Sequence, residues 1–253
     1  WGSGLVVAAV IAVGLVSPLI DYDPAAAVDY DHKLLGPGLG HWLGTDAQGR
    51  DVAMRLVKGT EAFFLPGLMA AGIASVAGAL LGAVAGYAEG WLRGAVIGFL
   101  QLIDTLPRLI FIILVCTILN PSITLIAGVA GVLFIPSIAT VIRRKVEALG
   151  SEDYILAHVA HGFSTARILL YHILWLQCRP LLIRQATYVF GYVLFVETAL
   201  SYLGDYGVQE PAPSWGNMVA QTRELGGASA WPWVFPAIAI ALDVEALFFL
   251  IIV

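Results

Sequence analysis

Long apolar blocks separated by polar segments dominate the hydropathy pattern of this chain. Blocks of such length that carry few charges are typical of membrane-spanning helices, which need about 20 apolar residues each. The pattern therefore predicts an all-α fold, a polytopic transmembrane helical bundle of about six spans in one domain over residues 1–253. The predicted spans cover residues 5–20, 62–88, 95–119, 122–142, 181–203 and 233–253.

The first and last blocks lie at the two ends of the chain. Block 5–20 is short for a span, so we expect its helix to begin before Trp1, and we expect the last helix to continue beyond Val253. A cleaved signal peptide is the alternative for the first block. It is less favoured because no basic region precedes the block and no small-residue cleavage site follows it.

Composition supports a membrane protein. The chain is 59% hydrophobic and 12% charged, whereas soluble domains carry about 25% charged residues. The net charge of −5 gives no indication of nucleic-acid binding. The two cysteines, Cys116 and Cys178, are far apart and fit neither a disulfide framework nor a metal site.

The distribution of basic residues predicts the orientation. Segments 88–94 and 143–184 share one side of a six-span topology and carry seven basic residues in 49 positions. Segments 21–61 and 204–232 share the other side and carry five in 70 positions. Because the more basic side is usually cytoplasmic, we expect both chain ends in the cytoplasm, and segments 21–61 and 204–232 on the opposite side.

Small residues recur every fourth position in the second predicted span. Such a stripe allows another helix backbone to approach closely. Packing within the same chain is the favoured interpretation, and a contact between subunits is the alternative. The stripe consists of Ala70, Ala74, Gly78, Gly82 and Gly86.

A few ionisable residues fall inside predicted spans. Asp104 and Arg108 are four residues apart and can pair on one helix face. Glu197 lies in the fifth predicted span, and Asp243 and Glu245 lie in the sixth. Since residues two apart on a helix point in nearly opposite directions, Asp243 and Glu245 cannot both face one pore. Such acids either line a translocation path or serve as a proton site, or they are simply protonated or locally hydrogen-bonded. The second interpretation is favoured for a lone carboxylate.

The sequence contains no recognisable catalytic motif. Phosphate-loop, nucleophile-elbow and zinc-protease patterns are missing. His158 and His161 are spaced to share a helix face, but without a third ligand a polar helix surface is the favoured interpretation over a zinc site. We therefore expect no enzymatic activity, no metal and no cofactor bound by this chain.

Residues 143–184 form a long polar insertion between two spans. Residues 154–162 predict a short helix that ends at Gly162. Ser164 then fits as the N-cap of a second helix that runs through Ile173. Two short helices around a glycine hinge predict either an amphipathic linker or a docking element for a soluble partner.

Here the chain resembles the permeases of binding-protein-dependent ABC importers, and specifically the C-type subunit of the dipeptide/oligopeptide/nickel group. The insertion is similar to their coupling, or EAA, loop. Three motifs carry the closer resemblance: L-G-T-D-x-x-G-R-D-V over residues 43–52, E-x-A-L-S-[FY]-L-G over residues 197–204, and P-x-P-S-W-G-N-M over residues 211–218. The resemblance covers nearly the whole chain in order, and the three motifs together are highly specific.

The loop departs from the group's pattern, which is roughly Y-V-E-A-A-x-x-x-G-A-S followed by H-I-L-P. Leu156 stands in place of the glutamate, His158 in place of the second alanine and Trp175 in place of the proline. The matching positions are Tyr154, Ala157, Gly162, Ser164 and residues 172–174. The missing glutamate removes a polar contact to the ATPase partner, so this is interpreted as a divergent member.

The resemblance implies a type I ABC importer permease fold in the bacterial inner membrane, with half of a path for peptides or similar small solutes. It implies four kinds of partner: a second permease chain, two ATPase subunits that bind ATP and Mg, a periplasmic solute-binding protein and the lipid bilayer. The resemblance and the residue pattern together single out a coupling loop over residues 143–180 with Tyr154, Ala157, His158, Gly162, Ser164, Arg167 and His172; interface anchors Arg143, Arg144 and Lys145; path or buried polar residues Glu197, Ser201, Asp243 and Glu245; and periplasmic motif residues Asp46, Arg50, Asp51, Trp215 and Asn217.

Two other functions remain open. An ion-gradient-driven secondary transporter or channel would use Glu197, Asp243 or Glu245 as its ion site, but it leaves the insertion without a role. A structural or regulatory subunit that no longer transports would explain the altered loop.

Overall fold

The computed structural model describes residues 2–119, 122–150, 152–203, 206–221 and 229–252, and helices account for most of them. Within these ranges the only extended pairing is one isolated antiparallel bridge between Thr45 and Asp51. Short 3₁₀ turns lie at Ser17–Leu19, Tyr30–His32 and Thr60–Ala62. The helices are α1 (Gly2–Val16), α2 (Val52–Gly59), α3 (Phe64–Tyr87), α4 (Gly90–Asp104), α5 (Arg108–Ile118), α6 (Ile123–Gly150), α7 (Asp153–Ala160), α8 (Thr165–Arg167, continued as a π-helix over Ile168–Trp175), α9 (Arg179–Leu203), α10 (Trp215–Ala220) and α11 (Trp231–Ile252).

Several of these helices are suited to a membrane. Among the described residues, three helical stretches are long and apolar enough to cross a bilayer: Val52–Tyr87, Ile123–Gly150 and Arg179–Leu203. The pair α4 and α5 makes a fourth if it is counted as one span. The all-α membrane fold is therefore confirmed, whereas the count of six spans stays a prediction.

The third apolar block differs from the single span expected over residues 95–119. It forms α4 and α5, which meet at an angle of 73°. The break falls before Pro107, which has no N–H for the helix ladder and disfavours helical geometry in the preceding residue. Asp104 and Arg108 do pair, at 3.1 Å, but across this bend and not along one straight helix.

Contacts divide the chain into two compact units. The first unit comprises the described parts of Trp1–Leu68, Ile112–Ala127 and Phe190–Val253. Phe63, Leu194 and Trp215 form a buried cluster in it, and α11 packs against both α1 and α10.

The second unit comprises Met69–Phe111 and the described part of Gly128–Val189. Here the small-residue stripe of α3 packs against α6. A Cβ atom added at Gly82 would lie 2.5 Å from the Ala139 carbonyl oxygen, and one at Gly78 would lie 2.7 Å from Cβ of Ile138. The favoured interpretation of the stripe, packing within one chain, is thus confirmed.

This packing predicts opposite responses at two glycines of α3. Gly82→Ala should destabilise the protein by about 1–3 kcal/mol, because the backbone of α6 has to move away. Gly72→Ala is the matched control, since nothing lies within 4 Å of a Cβ atom there, and it should leave stability unchanged or slightly higher. Thermal unfolding in nanodiscs measures both, and equal losses would contradict the packing argument.

Candidate functional site

The first motif, residues 43–52, folds into tight turns that depend on two glycines. Gly44 and Gly49 have positive φ angles of 82° and 77°, a conformation that side chains disfavour. A Cβ atom at Gly49 would lie only 1.6 Å from the Asp29 carbonyl oxygen. The backbone at Gly49 lies this close to Asp29 because the Asp29 N–H donates to the Gln48 carbonyl at 2.9 Å.

The polar residues of this motif hold the turns together. Thr45 Oγ1 donates to the His32 carbonyl at 2.6 Å and accepts from the Leu35 N–H at 2.8 Å. Asp51 caps α2 by accepting from the Met54 N–H at 2.9 Å, and its other carboxylate oxygen lies 2.9 Å from His41 Nδ1. The structural role of Asp51 is therefore the start of α2.

Asp46 and Arg50 belong to a four-charge cluster, which we define as Asp46, Arg50, Arg55 and Glu210. Asp46 Oδ2 accepts from Arg50 Nε at 2.8 Å and from Arg55 Nη1 at 2.6 Å. Glu210 accepts from both arginines at 2.8 Å. The charges balance, as burial of arginines requires.

The electrostatics of this cluster extend to neighbouring groups. Burial lowers the pKa of Arg50, but the carboxylates of Glu210 and Asp46 outweigh it, so the net pKa is raised above its ordinary value. Burial raises the pKa of Tyr22 to about 12, against the opposing effect of Arg50 and with that of Asp46. Tyr22 is therefore a neutral phenol at physiological pH.

Sequence reasoning missed Arg55 and Glu210. Arg55 is 1% exposed although it lies on a short amphipathic helix, where an arginine is expected at the surface. Glu210 lies on the other polar segment, 160 residues after Arg50. No local pattern indicates either contact.

The third motif, residues 211–218, fixes a loop of the first unit in place. Ser214 and Asn217 form a capping box at the start of α10, and the Asn217 amide donates to the Ala212 carbonyl at 2.8 Å. Trp215 is buried, donates from Nε1 to the Leu56 carbonyl at 2.8 Å and lies against Phe63 with ring centroids 4.7 Å apart. Trp215 and Asn217 therefore position this loop.

The second motif lies near the end of α9, and its Gly204 is outside the described residues. Ser201 Oγ donates to Glu197 at 2.6 Å inside the protein and accepts from the Val208 N–H at 2.9 Å. Gly216 lets the third motif approach, since its Cβ would lie 2.5 Å from the Thr198 carbonyl oxygen. The two motifs thus meet.

The two acids of α11 lie in different environments. Asp243 is 1% exposed, and neither of its carboxylate oxygens has a hydrogen-bond partner. Glu245 is exposed. The two side chains therefore lie in different surroundings, as expected for residues two apart on a helix. That they cannot share one pore, and the transport role of either, stay predictions.

A cavity of about 400 Å³ lies between the motifs within the first unit. Polar side chains make up much of its wall, including Asp46, Gln48, Arg50, Ser201, Glu210 and Asn217. A space of this volume is in the range of small-ligand sites.

The 153–175 segment, which comprises α7 and α8, belongs to the second unit. Gly162 has φ of 77°, and its N–H donates to the Val159 carbonyl at 3.0 Å while the Phe163 N–H donates to the His158 carbonyl at 3.1 Å. These two bonds define a Schellman cap. The predicted helix end at Gly162 is confirmed.

The second helix of this segment differs in part from the prediction. Ser164 Oγ accepts from the Arg167 N–H at 3.4 Å, so the predicted N-cap is confirmed. The helix then widens to a π-helix over Ile168–Trp175. Tyr154 and Ala157 are exposed on α7, and the side chain of Leu156 is outside the described set.

Aromatic and imidazole rings join the two helices. His158 and His172 have ring centroids 4.0 Å apart, Phe163 stacks on His172 at 5.8 Å, and the Arg167 guanidinium lies 4.7 Å from the Phe163 centroid. Partial burial, with the nearby charges of His158 and Arg167, lowers the pKa of His172 from 6.5. His172 is therefore neutral near pH 7.

The predicted anchors lie on a helix and not in a loop, because α6 continues to Gly150. Arg143 pairs with Glu147 at 3.2 Å, and Glu147 also accepts from Arg93. Arg144 is exposed, and Lys145 is half-buried. Their role as interface anchors stays a prediction.

His158 and His161 do not converge on a shared site. Each Nδ1 lies within hydrogen-bond distance of a carbonyl of its own helix, that of Tyr154 for His158 and that of Ala157 for His161. In the described part of the chain, no group of three potential metal ligands comes together.

Comparison with known proteins decides the family. Residues 78–252 match the model of the binding-protein-dependent transport system inner membrane component. The chain belongs to this family. The expected resemblance to ABC importer permeases is thereby confirmed.

Relatives within this permease family are peptide and glutathione permeases. The chain is 30% identical over 240 residues to the dipeptide transport system permease protein DppC of Alkalihalophilus pseudofirmus, covering 95% of this chain and 78% of that protein. It is 29% identical over 245 residues to the glutathione transport system permease protein GsiD of Pectobacterium atrosepticum, covering 96% and 81%. It is 31% identical over 202 residues to the oligopeptide transport system permease protein OppC of Haemophilus influenzae, covering 80% and 64%.

The chain is therefore a multi-pass membrane permease subunit of an ABC importer of the peptide group, and it is a transport subunit, not an enzyme. It works together with other components of such an importer.

Proposed function

We propose that this permease forms half of the translocation path of an ATP-driven importer for peptides or a similar small solute. A second, homologous permease chain forms the other half. Two ATP-binding subunits hold ATP and Mg, and a periplasmic binding protein delivers the solute. The dipeptide, oligopeptide and glutathione systems named for the relatives support this class of solute.

The observation that carries this proposal is the geometry of the 153–175 segment. A Schellman cap and a serine N-cap fix the turn between its two helices, and stacked rings brace them. The exposed side chains of α7 include Tyr154 and Ala157. Such a braced element is suited to move as a rigid body when ATP closes the ATPases, which switches the helices between inward- and outward-facing states.

The basic end of α6 supports the orientation in this proposal. Arg143, Arg144 and Lys145 lie in the last two or so turns of α6, which ends at Gly150. This basic cluster after a long apolar stretch favours the cytoplasm of a bacterial inner membrane for this side. Both chain ends would then be cytoplasmic. On the opposite polar segment, Leu39 and Trp42 are largely exposed apolar side chains, and such groups favour contact with a delivering protein.

Uptake into proteoliposomes tests the function. The complete complex should take up a labelled peptide only with ATP inside, with the ATPase subunits present and with loaded binding protein outside. Uptake driven by a proton gradient alone would overturn the proposal. An intact complex that transports under no condition would favour a structural role.

Gly162→Pro should uncouple ATP hydrolysis from transport. Proline fixes φ near −65°, whereas Gly162 has φ of 77°, so the turn between α7 and α8 has to change. Uptake should fall at least about fivefold, the effect of a coupling free energy of roughly 1–3 kcal/mol, while ATP hydrolysis persists. The measurement is the ratio of solute imported to ATP hydrolysed.

The matched control for this variant is Gly162→Asn. Asparagine tolerates the left-handed conformation at a helix end, and nothing lies within 4 Å of a Cβ atom at this position. It should retain most of the transport. Unaltered transport in Gly162→Pro would contradict the docking role.

A second candidate function rests on Asp243. A buried carboxyl with no hydrogen-bond partner in a predicted span is typical of ion and proton sites. A gradient-driven transporter would lose uptake in Asp243→Asn, whereas ATP-driven import does not require that carboxyl as an ion site.

A further inference from the structure

The four-charge cluster has the form of a carboxylate receptor. The two oxygens of Glu210 are shared between two arginines: Oε2 accepts from Arg50 Nη1 and Oε1 accepts from Arg55 Nη2, each at 2.8 Å. Charge-assisted hydrogen bonds from arginine to a carboxylate are roughly twice as strong as neutral ones, and the planar guanidinium suits carboxylate geometry.

Glu210 differs from the other members of the cluster in its exposure. The side chains of Arg50 and Arg55 are each 1% exposed and that of Asp46 is 2% exposed, whereas that of Glu210 is 39% exposed. Asp46 neutralises one of the two arginines. If Glu210 leaves, one buried positive charge is uncompensated, and another carboxylate is needed in its place.

The cavity and two spare donors extend this receptor. Arg50 and Glu210 line the cavity of about 400 Å³. Arg50 Nη2 and Arg55 Nε are buried without a hydrogen-bond partner, although buried polar groups are nearly always paired. A carboxylate that enters beside or in place of Glu210 could satisfy them.

We propose that Arg50 and Arg55 bind a terminal carboxylate of the transported solute, and that the chain's own Glu210 occupies this position in the present structure. Both arginine side chains are almost fully buried, so a flat protein surface cannot reach them. The ligand therefore has to be narrow at the end that carries its carboxylate. The cavity wall also includes Gln48 and Gln221. Gln221 Nε2 donates to Glu210 Oε1 at 2.7 Å, so its amide already contacts a carboxylate at this position. The choice of a peptide carboxylate rests on the proposed function.

Chemical rescue tests this receptor. In Glu210→Ala, the full-length permease in nanodiscs with its partner chain should unfold at a lower temperature than the wild type. Propionate and alanylalanine should each raise its Tm by at least about 2 °C, as expected for ligands that bind the folded state. The C-terminal amide of alanylalanine and sodium chloride at equal ionic strength should not.

Glu61→Ala is the matched control. The Glu61 side chain is 38% exposed and pairs with Lys58 at 2.6 Å. Glu61→Ala therefore loses an ion pair of similar exposure outside the four-charge cluster. Neither carboxylate should stabilise that variant or the wild type. If Glu210→Ala does not fold, Glu210→Ser carries the same test, since its short side chain also vacates the position and removes the charge.

Each other outcome would overturn the proposal. Equal rescue by chloride indicates charge screening only, rescue by propionate but not by alanylalanine removes the solute assignment, and no rescue at all removes the receptor. The unfolding measurement needs neither ATP nor transport. A failure of the importer function would appear in the uptake assay alone, so the two failures are distinguishable.

Discussion

Replacing Gly49 with alanine should cost about 4 kcal/mol or more of folding free energy, an effect found only where a substitution breaks a special backbone geometry. The added Cβ would lie 1.6 Å from the Asp29 carbonyl oxygen. A rotamer change cannot relieve this overlap because both groups are close to the backbone. The turn that presents Asp46 and Arg50 would have to open, so the four-charge cluster should be lost with it.

Gly90→Ala is the control for this prediction. Gly90 also has a positive φ, 63°, but nothing lies within 4 Å of a Cβ atom there. Gly90→Ala should reduce the folding free energy by only about 1–2 kcal/mol, the cost of a side chain at positive φ. Chemical and thermal unfolding in nanodiscs measure both variants. Similar losses would show that backbone conformation alone, and not the contact with Asp29, makes Gly49 necessary.

Arg55→Met should destabilise the protein by about 3–5 kcal/mol, the cost of breaking a buried ion pair by removing one partner. Methionine keeps much of the side-chain volume, so the loss measures mainly charge and hydrogen bonds. Asp46 and Glu210 would then share Arg50 alone. Arg93→Met is the control, because Arg93 is 40% exposed and pairs at the surface with Glu147, which predicts less than about 1 kcal/mol.

A double-mutant cycle sharpens this prediction. Arg55→Met leaves the cluster with one excess negative charge, and Glu210→Gln leaves it with one excess positive charge. The double variant is again balanced, through Asp46 and Arg50. It should be more stable than the sum of the single losses predicts, by about 0.5–3 kcal/mol. Strict additivity would contradict the view of the four groups as one unit.

Local features were predictable from the sequence. The caps at Gly162 and Ser164 depend on residues within one or two turns of each other. Residues that are adjacent in sequence are therefore enough to predict them. The bend before Pro107 is equally local, but the continuous hydrophobicity of residues 95–119 does not reveal it. A proline within a long apolar block is the signal that could have found it.

The long-range features were not predictable. Hydropathy identifies Asp243 and Glu245 as unusual in a span, but only packing shows which one is buried. The motif residues Asp46 and Arg50 were recognised, whereas Arg55 and Glu210 were not, because Glu210 meets its partners across more than 150 positions of sequence.

The sequence by itself determined that this is an all-α membrane protein, because a backbone in lipid has to satisfy its hydrogen bonds within helices and apolar blocks of that length have few alternatives. Its motifs indicated the family. Only the tertiary structure decided what those motifs do: they form turns, caps and a buried cluster of four charges around a cavity. The reason is physical, since a charge is tolerated in the interior only when the fold brings its partner to it.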